Sequence, residues 1–421
     1  MDHFAYVDGT LCAENVPLPE IARSVGTPFY VYSTATLRRH FDVFAEGFAG
    51  TDTLIAFAVK SLSNIAVLSL LGKRGAGADI VSGGELFRAL KAGIPAERIV
   101  FSGVGKTERE IADALDAGIG QFNVEGEAEL AVLSRVASEK GMTAPVSFRI
   151  NPDVDAGTHD KISTGRKGDK FGVPRARTFD AYALAEKLPG IRVQGVAMHI
   201  GSQITSLAPF EAAARSAVEL VGTLRGMGHD IRTLDLGGGL GIPYGRAAEP
   251  PPLPSDYAKL IRSVTDGTDI RVMLEPGRMI VGNAGLFVVS MLYAKDQETR
   301  TYAIVDGAMN DLIRPMLYGA HHEIMPVTEK DAAATNYDVA GPVCESTDLF
   351  ARDVALQDPQ PGDLLAFRTA GAYGAVSASQ YNTRPLVPEV LVDGDRFHVI
   401  RRRPSYEDIL SLETIPDLSD H

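Results

Sequence analysis

Leu54-Ile55-Ala56-Phe57-Ala58-Val59 is an unbroken apolar run that stops at Lys60. The same rhythm returns at Ala78–Val81, Ile99–Phe101, Gln121–Val124, Val146–Ile150, Val193–Ile200, Thr233–Leu236 and Arg271–Leu274. At or just beyond the ends of these runs stand Ser82, Ser102, Glu125, Arg149 with Asn151, His199 with Ser202, Gly237-Gly238-Gly239, and Glu275-Pro276-Gly277-Arg278. Short apolar runs of this length read as strands covered on both faces, and helix-like segments lie between them. Eight strand–helix alternations predict an α/β chain folded as a (β/α)8 barrel. Barrel enzymes keep their chemistry at the C-terminal ends of the strands, which is where these reactive residues collect.

Working outward, the barrel spans 33–284. After Ala284 the pattern changes to short strands with turn residues between them: Gly285–Ala294, Thr301–Val305, Tyr337–Ala340, Asp363–Ala366, Pro388–Val392 and Arg396–Ile400. These predict a C-terminal all-β domain, sandwich-like or barrel-like, over 285–421. Residues 1–32 read as strand and turn (Phe4–Val7, Asp8-Gly9, Pro28–Tyr32) and should join it, since they otherwise have no sheet. Thr107 with Glu110 is a capping box that opens one barrel helix. Glu127–Lys140 and Pro209–Met227 carry helical spacing of Leu, Val and Ala. The connection Asp153–Val173 is long, polar and glycine-punctuated, and it leaves a strand at the active face, so a functional loop is expected. Ala247–Pro254 reads as a surface loop.

Composition narrows the function classes. A chain of 421 residues with 45% hydrophobic and 23% charged residues is a globular protein of two domains. The net charge of −13 disfavours nucleic acid, whose phosphates want a basic face. Cys12 and Cys344 are the two cysteines, so no disulfide framework is expected and a reducing cytoplasm fits. The start Met1-Asp2-His3-Phe4 lacks the basic-then-apolar pattern of a signal peptide, and no apolar run approaches membrane-spanning length. His159, His321 and His322 do not make a zinc pattern, so no metal is expected; His321 and His322 read as packing or hydrogen-bonding residues.

Each reactive residue has two readings. Lys60 is either a surface lysine or a partly desolvated amine able to form a Schiff base. The glycine triplet 237–239 is either a turn or a backbone cradle for a phosphate. His199 is either a core histidine or a ring stacked on an aromatic cofactor. Ser202 either donates to a phosphate or caps the next helix. Glu275 and Arg278 make either an ion pair at the rim, or a partner for a ring nitrogen beside a clamp for an anion. Taken together on one barrel face, the functional readings describe a single site suited to pyridoxal phosphate. A cofactor-free aldolase would have no use for a ring-nitrogen partner.

The segments Phe57-Ala58-Val59-Lys60, Gly77–Leu86, Arg149-Ile150-Asn151-Pro152, Lys170-Phe171-Gly172, His199–Gln203, Gly237–Ile242 and Glu275–Arg278 resemble the fold type III pyridoxal-phosphate decarboxylases. So do His159 and Thr164-Gly165. The loop motifs, with Met309–Pro315, Leu317-Tyr318, Cys344-Glu345-Ser346, Gly371–Gly374 and Tyr381-Asn382, are similar to the diaminopimelate branch of that family. Small departures are Ser61, where the family usually has Ala, and the order Gly307-Ala308.

The resemblance implies that Lys60 binds the cofactor covalently, that Asp79 and Arg149 lie around it, that His199 stacks on its ring and that Glu275 pairs with its ring nitrogen. Gly237, Gly238, Gly239, Ser202, the backbone near Gly277, Arg278 and the Tyr373 hydroxyl would hold the phosphate side. Arg278, Arg314, Tyr318 and Tyr373 would meet the substrate, with Glu345 on its distal amino group. Cys344 would come from a partner subunit to return a proton, which requires a homodimer with composite sites. The implied reaction is decarboxylation of meso-diaminopimelate at its D-centre to L-lysine. Competing expectations are a same-fold decarboxylase for ornithine, arginine or a polyamine precursor, a non-catalytic cofactor carrier, and alanine racemase. Arg314 with Tyr318 argues against the first, because an ornithine-type substrate has no distal carboxylate to pair with them. Lys60 and Cys344 argue against the second, and the distal clamp argues against the third.

Overall fold

The computed structural model describes residues 2–153, 170–245 and 250–418. Most of the Asp153–Val173 connection, with His159 and Thr164-Gly165, lies outside the described residues, as does 246–249 of the Pro-rich segment. The chain divides into two compact units, Thr36–Asn283 and Met1–Ala35 with Ala284–His421.

The first unit is a closed barrel. Its strands are β1 (Thr53–Ala58), β2 (Gly77–Ile80), β3 (Ile99–Phe101), β4 (Gln121–Val124), β5 (Ala144–Asn151), β6 (Ile191–Ala197), β7 (Thr233–Asp235) and β8 (Arg271–Leu274). Every neighbour pair is parallel, and β8 closes on β1 through Val272 opposite Thr53 and Met273 opposite Leu54. Both faces of the strands are covered: β2, β3, β4 and β7 have no exposed residue, their polar Asp79, Gln121, Asn123, Thr233 and Asp235 included.

Helices follow the strands, and three of them begin at a side-chain cap. Asn64 caps Ile65–Gly72, Ser82 caps Gly83–Lys91, and Thr107 with Glu110 forms the expected capping box on Glu108–Ala117. That last helix buries Ile111, Ala114 and Leu115, the i, i+3, i+4 stripe of an amphipathic helix. The expected long helices appear as Glu127–Glu139 and Ala208–Gly226.

A second β contribution is short. Val173–Pro174 pairs in parallel with the end of β5, Val173 opposite Ile150, and so brings Lys170-Phe171-Gly172 back to the C-terminal rim. The barrel interior is apolar around Leu54, Ala56, Val100 and Met273. Elsewhere it is polar: Thr233 Oγ1 and Gln194 Nε2 both donate to Gln121 Oε1, at 2.8 and 3.2 Å. Gln121 Nε2 in turn donates to Asn123 Oδ1 at 2.8 Å.

The second unit is built on one long strand, Gly285–Gln297, which changes partners along its length. It pairs antiparallel with Phe29–Ser33, with Leu364–Phe367 and then with Arg300–Val305. The N-terminal strand Phe29–Ser33 is therefore internal to the sheet, as expected, and its other edge pairs with Glu389–Asp393. Phe4–Val7 pairs instead in a small meander with Thr10–Ala13, which pairs with Val16–Pro17. Its core joins that of the sheet through Phe4, Leu11, Leu18, Val31, Leu286 and Val390. Four strands of this unit escaped the sequence reading, Thr10–Ala13 and Val16–Pro17 of the meander among them. Leu349–Gln357 has its alternation interrupted at Arg352-Asp353, where Asp353 takes φ +55°. Ile324–Pro326 is three residues long and ends in proline.

Candidate active site

Lys60 stands two residues past β1, in a single 3-10 turn over Val59–Ser61. Its side chain is about one third exposed, and its ammonium pairs with Asp79 of β2, whose carboxylate is wholly buried. It is thus a rim lysine tied to a buried charge, not a freely solvated one. The second oxygen of that carboxylate, Asp79 Oδ1, is buried without a hydrogen-bond partner among the described residues. An unmet acceptor of this kind inside a barrel mouth is expensive unless something else approaches it.

Glu275 follows β8 and is buried. Ser102 Oγ donates to its Oε1 at 3.2 Å. Asn123 Nδ2 lies 3.5 Å from the same oxygen and donates to Asp235 Oδ2 at 2.9 Å, so one amide faces both carboxylates. Burial, then the neighbouring Asp235 and Asp79, push the Glu275 carboxyl well above the ordinary carboxylate range. Burial also raises Asp235, while hydrogen bonds from Asn123 and the Gly237 N–H act against that rise. Both acids are thus raised, Glu275 the further, and they titrate as a pair.

His199 sits past β6 and is half-buried in the cavity wall. Burial holds it well below the ordinary histidine value, and the positive charges of Arg149 and Lys60 add to this. Its Nδ1 accepts from Gly238 N–H at 3.3 Å, which fixes an uncharged ring with the lone pair toward the glycines. Arg149 ends β5 and donates to Glu125 Oε1 at 3.0 Å. The other Glu125 oxygen accepts from Gly172 N–H at 2.9 Å, and the Arg149 guanidinium lies 4.8 Å from the Phe171 ring centre. One Arg149 nitrogen, Nη2, has no partner among the described residues. Lys60, Arg149, Phe171, His199, Asp235 and Glu275 line one cavity of about 190 Å³. A larger cavity of about 1390 Å³ opens at the other ends of the strands, by Thr53, Thr233 and Arg271. Arg232 with Asp230 and Arg271 with Asp52 are ion pairs there.

The glycine triplet is a cradle by sterics. A Cβ on Gly237 would stand 2.5 Å from His199 Nδ1, one on Gly238 2.2 Å from the Glu275 carbonyl oxygen, and one on Gly239 2.6 Å from the Gly201 carbonyl oxygen. Gly237 and Gly239 also take φ +66° and +112°, where side chains are disfavoured. Gly277 is similarly close to Ala58 and Ser61. Beside the cradle, buried Arg278 donates to Ser202 Oγ at 3.1 Å and to the Tyr244 hydroxyl. Ser202 does not cap the following helix, whose first flanking residue is Leu207. An unmet buried carboxylate oxygen, a rim lysine and a buried carboxyl raised above its ordinary range, beside a tight glycine turn, fit pyridoxal phosphate. Lys60 would hold its aldehyde, the 237–239 backbone its phosphate and Glu275 its ring nitrogen.

In the second unit, Arg314 and Tyr318 stand four residues apart on the one-turn helix Arg314–Tyr318, hence on one face of it. Arg314 is buried and Tyr318 half-buried. Cys344 and Glu345 are exposed on a turn organised by buried Asp348. Asp348 accepts from Val343 N–H and Met309 N–H, both at 2.7 Å. Tyr381 donates to Glu345 Oε1 at 2.5 Å. Tyr373 is half-buried and takes φ +57°, an uncommon backbone for a tyrosine and one found at functional positions.

Sequence reasoning missed Asn123, Asp235, Lys106 and Asp348. Lys106, 1% exposed in its side chain, spends all three hydrogens: on Glu129 at 2.7 Å, and on the carbonyls of Gly103 and Asn123 at 2.8 Å each. The available signal was polar residues inside apolar strands. Asn123 and Asp235 were each counted within a run and not weighed as chemistry.

The model of the family described as pyridoxal-dependent decarboxylase, pyridoxal binding domain, matches residues 34–282. A diaminopimelate decarboxylase of Zymomonas mobilis is 48% identical over 97% of each chain. One from Pseudomonas aeruginosa is 49% identical over 99% of each chain. A crystal structure of the Helicobacter pylori diaminopimelate decarboxylase complexed with L-lysine has a TM-score of 0.90 at 41% identity, covering 94% of this chain and 99% of that one.

Proposed function

We infer the activity from one premise: this chain belongs to the pyridoxal-dependent decarboxylases, and within them to the diaminopimelate decarboxylases. It is a pyridoxal-phosphate-dependent carboxy-lyase that removes carbon dioxide from meso-2,6-diaminopimelate at the D-centre and yields L-lysine. The observation that carries the chemistry is one cavity lined by Lys60, His199, Asp235 and Glu275, the last with its carboxyl raised by burial and its acidic neighbours.

Pyridoxal phosphate, when bound, supplies the sink for the electron pair left by the departing carboxylate. The residues of the chain orient, neutralise and move protons around that event. Lys60 is the amine for the cofactor aldehyde, and Asp79 holds it at the rim. His199, uncharged, offers a flat face that brings no competing charge. Glu275 keeps a proton at the ring nitrogen, which sustains the sink. Gly237 to Gly239, Ser202, the backbone at Gly277 and the Tyr373 hydroxyl hold the phosphate, and Arg149 stiffens the rim through Glu125 and Phe171.

Specificity lies at the substrate's unreactive L-centre. Arg278, Arg314 and Tyr318 bind its carboxylate and Glu345 its ammonium. A site built to pair such groups rejects analogues lacking them, because the buried partners are then left unmet. Cys344 serves the site of a second subunit and returns the proton to the carbon that lost its carboxylate, so the working unit is a homodimer. Cys344 is free and exposed, as that role and a cytoplasmic setting require. Among the described residues, no helix is long and apolar enough to cross a membrane.

The test is carbon dioxide release from the protein loaded with pyridoxal phosphate, comparing meso-diaminopimelate with ornithine, arginine and L-lysine. Release from diaminopimelate, with L-lysine formed, is expected. Release from ornithine instead would overturn the roles of Arg314 and Glu345.

A further inference from the structure

His322 was read from sequence as a packing or hydrogen-bonding residue, and its two ring nitrogens have now been given partners that leave no choice of protonation. The side chain is 3% exposed and Arg314 is 6% exposed. His322 Nε2 lies 2.9 Å from Arg314 Nη1, and His322 Nδ1 lies 2.9 Å from the Arg368 carbonyl oxygen. A guanidinium nitrogen has only hydrogens to give, and a carbonyl oxygen has only lone pairs. Nδ1 therefore carries the proton and Nε2 accepts from Arg314. The imidazole is neutral.

The anchor of this histidine is itself fixed. Arg368 N–H donates to the Glu323 carbonyl at 2.9 Å while the Arg368 carbonyl accepts from His322, so residues 322–323 are held to 368 in both directions. The Arg368 side chain is in turn paired with Asp2 at 2.6 Å. The result is a rigid, uncharged acceptor set against one nitrogen of a buried guanidinium. A carboxylate in its place would also orient the arginine, but it would neutralise the charge meant for a ligand. A neutral imidazole orients without neutralising.

We propose that His322 is a positioning residue: it fixes the orientation of Arg314 and so sets the preference for substrates with a carboxylate at the unreactive end. The proposal rests on the reading of Arg314 as the clamp on that carboxylate. His322 touches neither substrate nor reacting atoms. Its effect belongs to carboxylate-bearing ligands, and it should leave ligands without that group alone.

Two replacements separate orientation from packing. In His322→Asn the amide can still donate to the Arg368 carbonyl, but the acceptor toward Arg314 is lost. In His322→Gln an amide oxygen can reach the place of Nε2. The measurements are KM and kcat for meso-diaminopimelate, and calorimetric affinity for L-lysine and for 1,5-diaminopentane, all on the cofactor-loaded dimer. L-lysine keeps the carboxylate that Arg314 is read to bind; 1,5-diaminopentane has none. His322→Asn should raise KM and weaken L-lysine about tenfold, the loss of one hydrogen bond to a charged group, with kcat and 1,5-diaminopentane affinity near wild type. His322→Gln should restore most of the difference. Equal weakening of both ligands in His322→Asn, or wild-type KM and L-lysine affinity in it while Arg314→Ala raises and weakens them, would overturn the positioning role. If Arg314→Ala itself leaves L-lysine affinity unchanged, the clamp reading fails first, and the proposal with it.

Discussion

Gly238→Ala is the sharpest test of the cradle. The added Cβ would stand 2.2 Å from the Glu275 carbonyl oxygen and 3.0 Å from its carbon. Non-bonded heavy atoms settle at roughly 3.5 Å, so the ends of β7 and β8 must part by about 1 Å. Neither neighbour is a flexible side chain. Both are backbone, joined by Glu275 N–H donating to the Gly237 carbonyl at 2.8 Å, and Gly238 N–H is the donor that fixes His199. Overpacking of this kind costs about 1–3 kcal/mol, and one buried backbone hydrogen bond adds about 1 kcal/mol, so the loss is about 2–4 kcal/mol. For a unit of this size that lowers Tm by roughly 5–10 °C. Because the displaced atoms belong to Glu275, a shift of about 1 Å should also cut turnover by roughly 10²-fold. Scanning calorimetry of the cofactor-free protein, absorbance titration with pyridoxal phosphate and carbon dioxide release read the three effects. Gly222→Ala is the internal control. Gly222 lies within the helix Ala208–Gly226 with nothing within 4 Å of an added Cβ. It should gain up to about 1 kcal/mol from helix propensity and leave cofactor affinity unchanged. Gly238→Ala with wild-type Tm and wild-type cofactor affinity would refute the reasoning, and the triplet would then be only a turn.

Asp235→Asn should flatten the pH dependence of stability in the cofactor-free protein. Glu275 is raised far above its ordinary value of 4.5 by burial and then by Asp235 and Asp79. As pH rises past that ordinary value the unfolded chain gives up the proton while the folded one keeps it, so stability falls with pH until the raised value is passed. Without the Asp235 charge the slope should weaken; an unchanged slope between Asp235→Asn and wild type would deny the coupling. Mixing Lys60→Ala with Cys344→Ala subunits should restore about a quarter of wild-type activity, since half of randomly paired dimers are mixed and each keeps one intact site of two. No recovery after subunit exchange, verified by native mass spectrometry, would place Lys60 and Cys344 in the same subunit's site. Lys106→Met should lower Tm and loosen cofactor binding together, because it unties Asn123 and Gly103 at once; an effect on Tm alone would make Lys106 purely structural.

The sequence made the barrel legible because its strands are covered on both faces. A strand in that position must be apolar throughout, and the first residue free to be anything else stands at its C-terminal end. Lys60, Ser102, His199 and Glu275 were visible for that reason. The same logic hid their partners. Asn123 lies inside a run and Asp235 precedes the glycines, positions that an apolar-run reading absorbs into the strand. In the β unit the difficulty was different. Asp348 acts on Val343 and on Met309, and the second of these is far away in sequence, so its role exists only once the sheet has formed. His322 is the same case, since its anchor is the carbonyl of Arg368. Arg314 and Tyr318 stand out in the sequence only through the family resemblance, and the helical turn that sets them on one face belongs to the structure.

The hidden residues share a physical task. Asp79, Asp235 and Glu275 bring three carboxyl groups into a mouth that excludes much of the water, an arrangement that burial and mutual repulsion both oppose. The protein limits the opposition in three ways: Lys60 pairs with Asp79, Asn123 gives its amide hydrogens to the carboxyl pair and Ser102, and Glu275 retains a proton. Each device leaves something unmet, an Asp79 oxygen without a donor and a Glu275 carboxyl raised by burial and its acidic neighbours. A cofactor whose ring nitrogen lies at Glu275 would give that carboxyl a partner that shares its proton. Strain accepted in the empty fold thus becomes affinity and electronic control when the cofactor binds. On this argument Asn123 and Lys106 serve the chemistry through the groups they hold, Asn123 the carboxyl pair and Lys106 the backbone of Asn123 and Gly103.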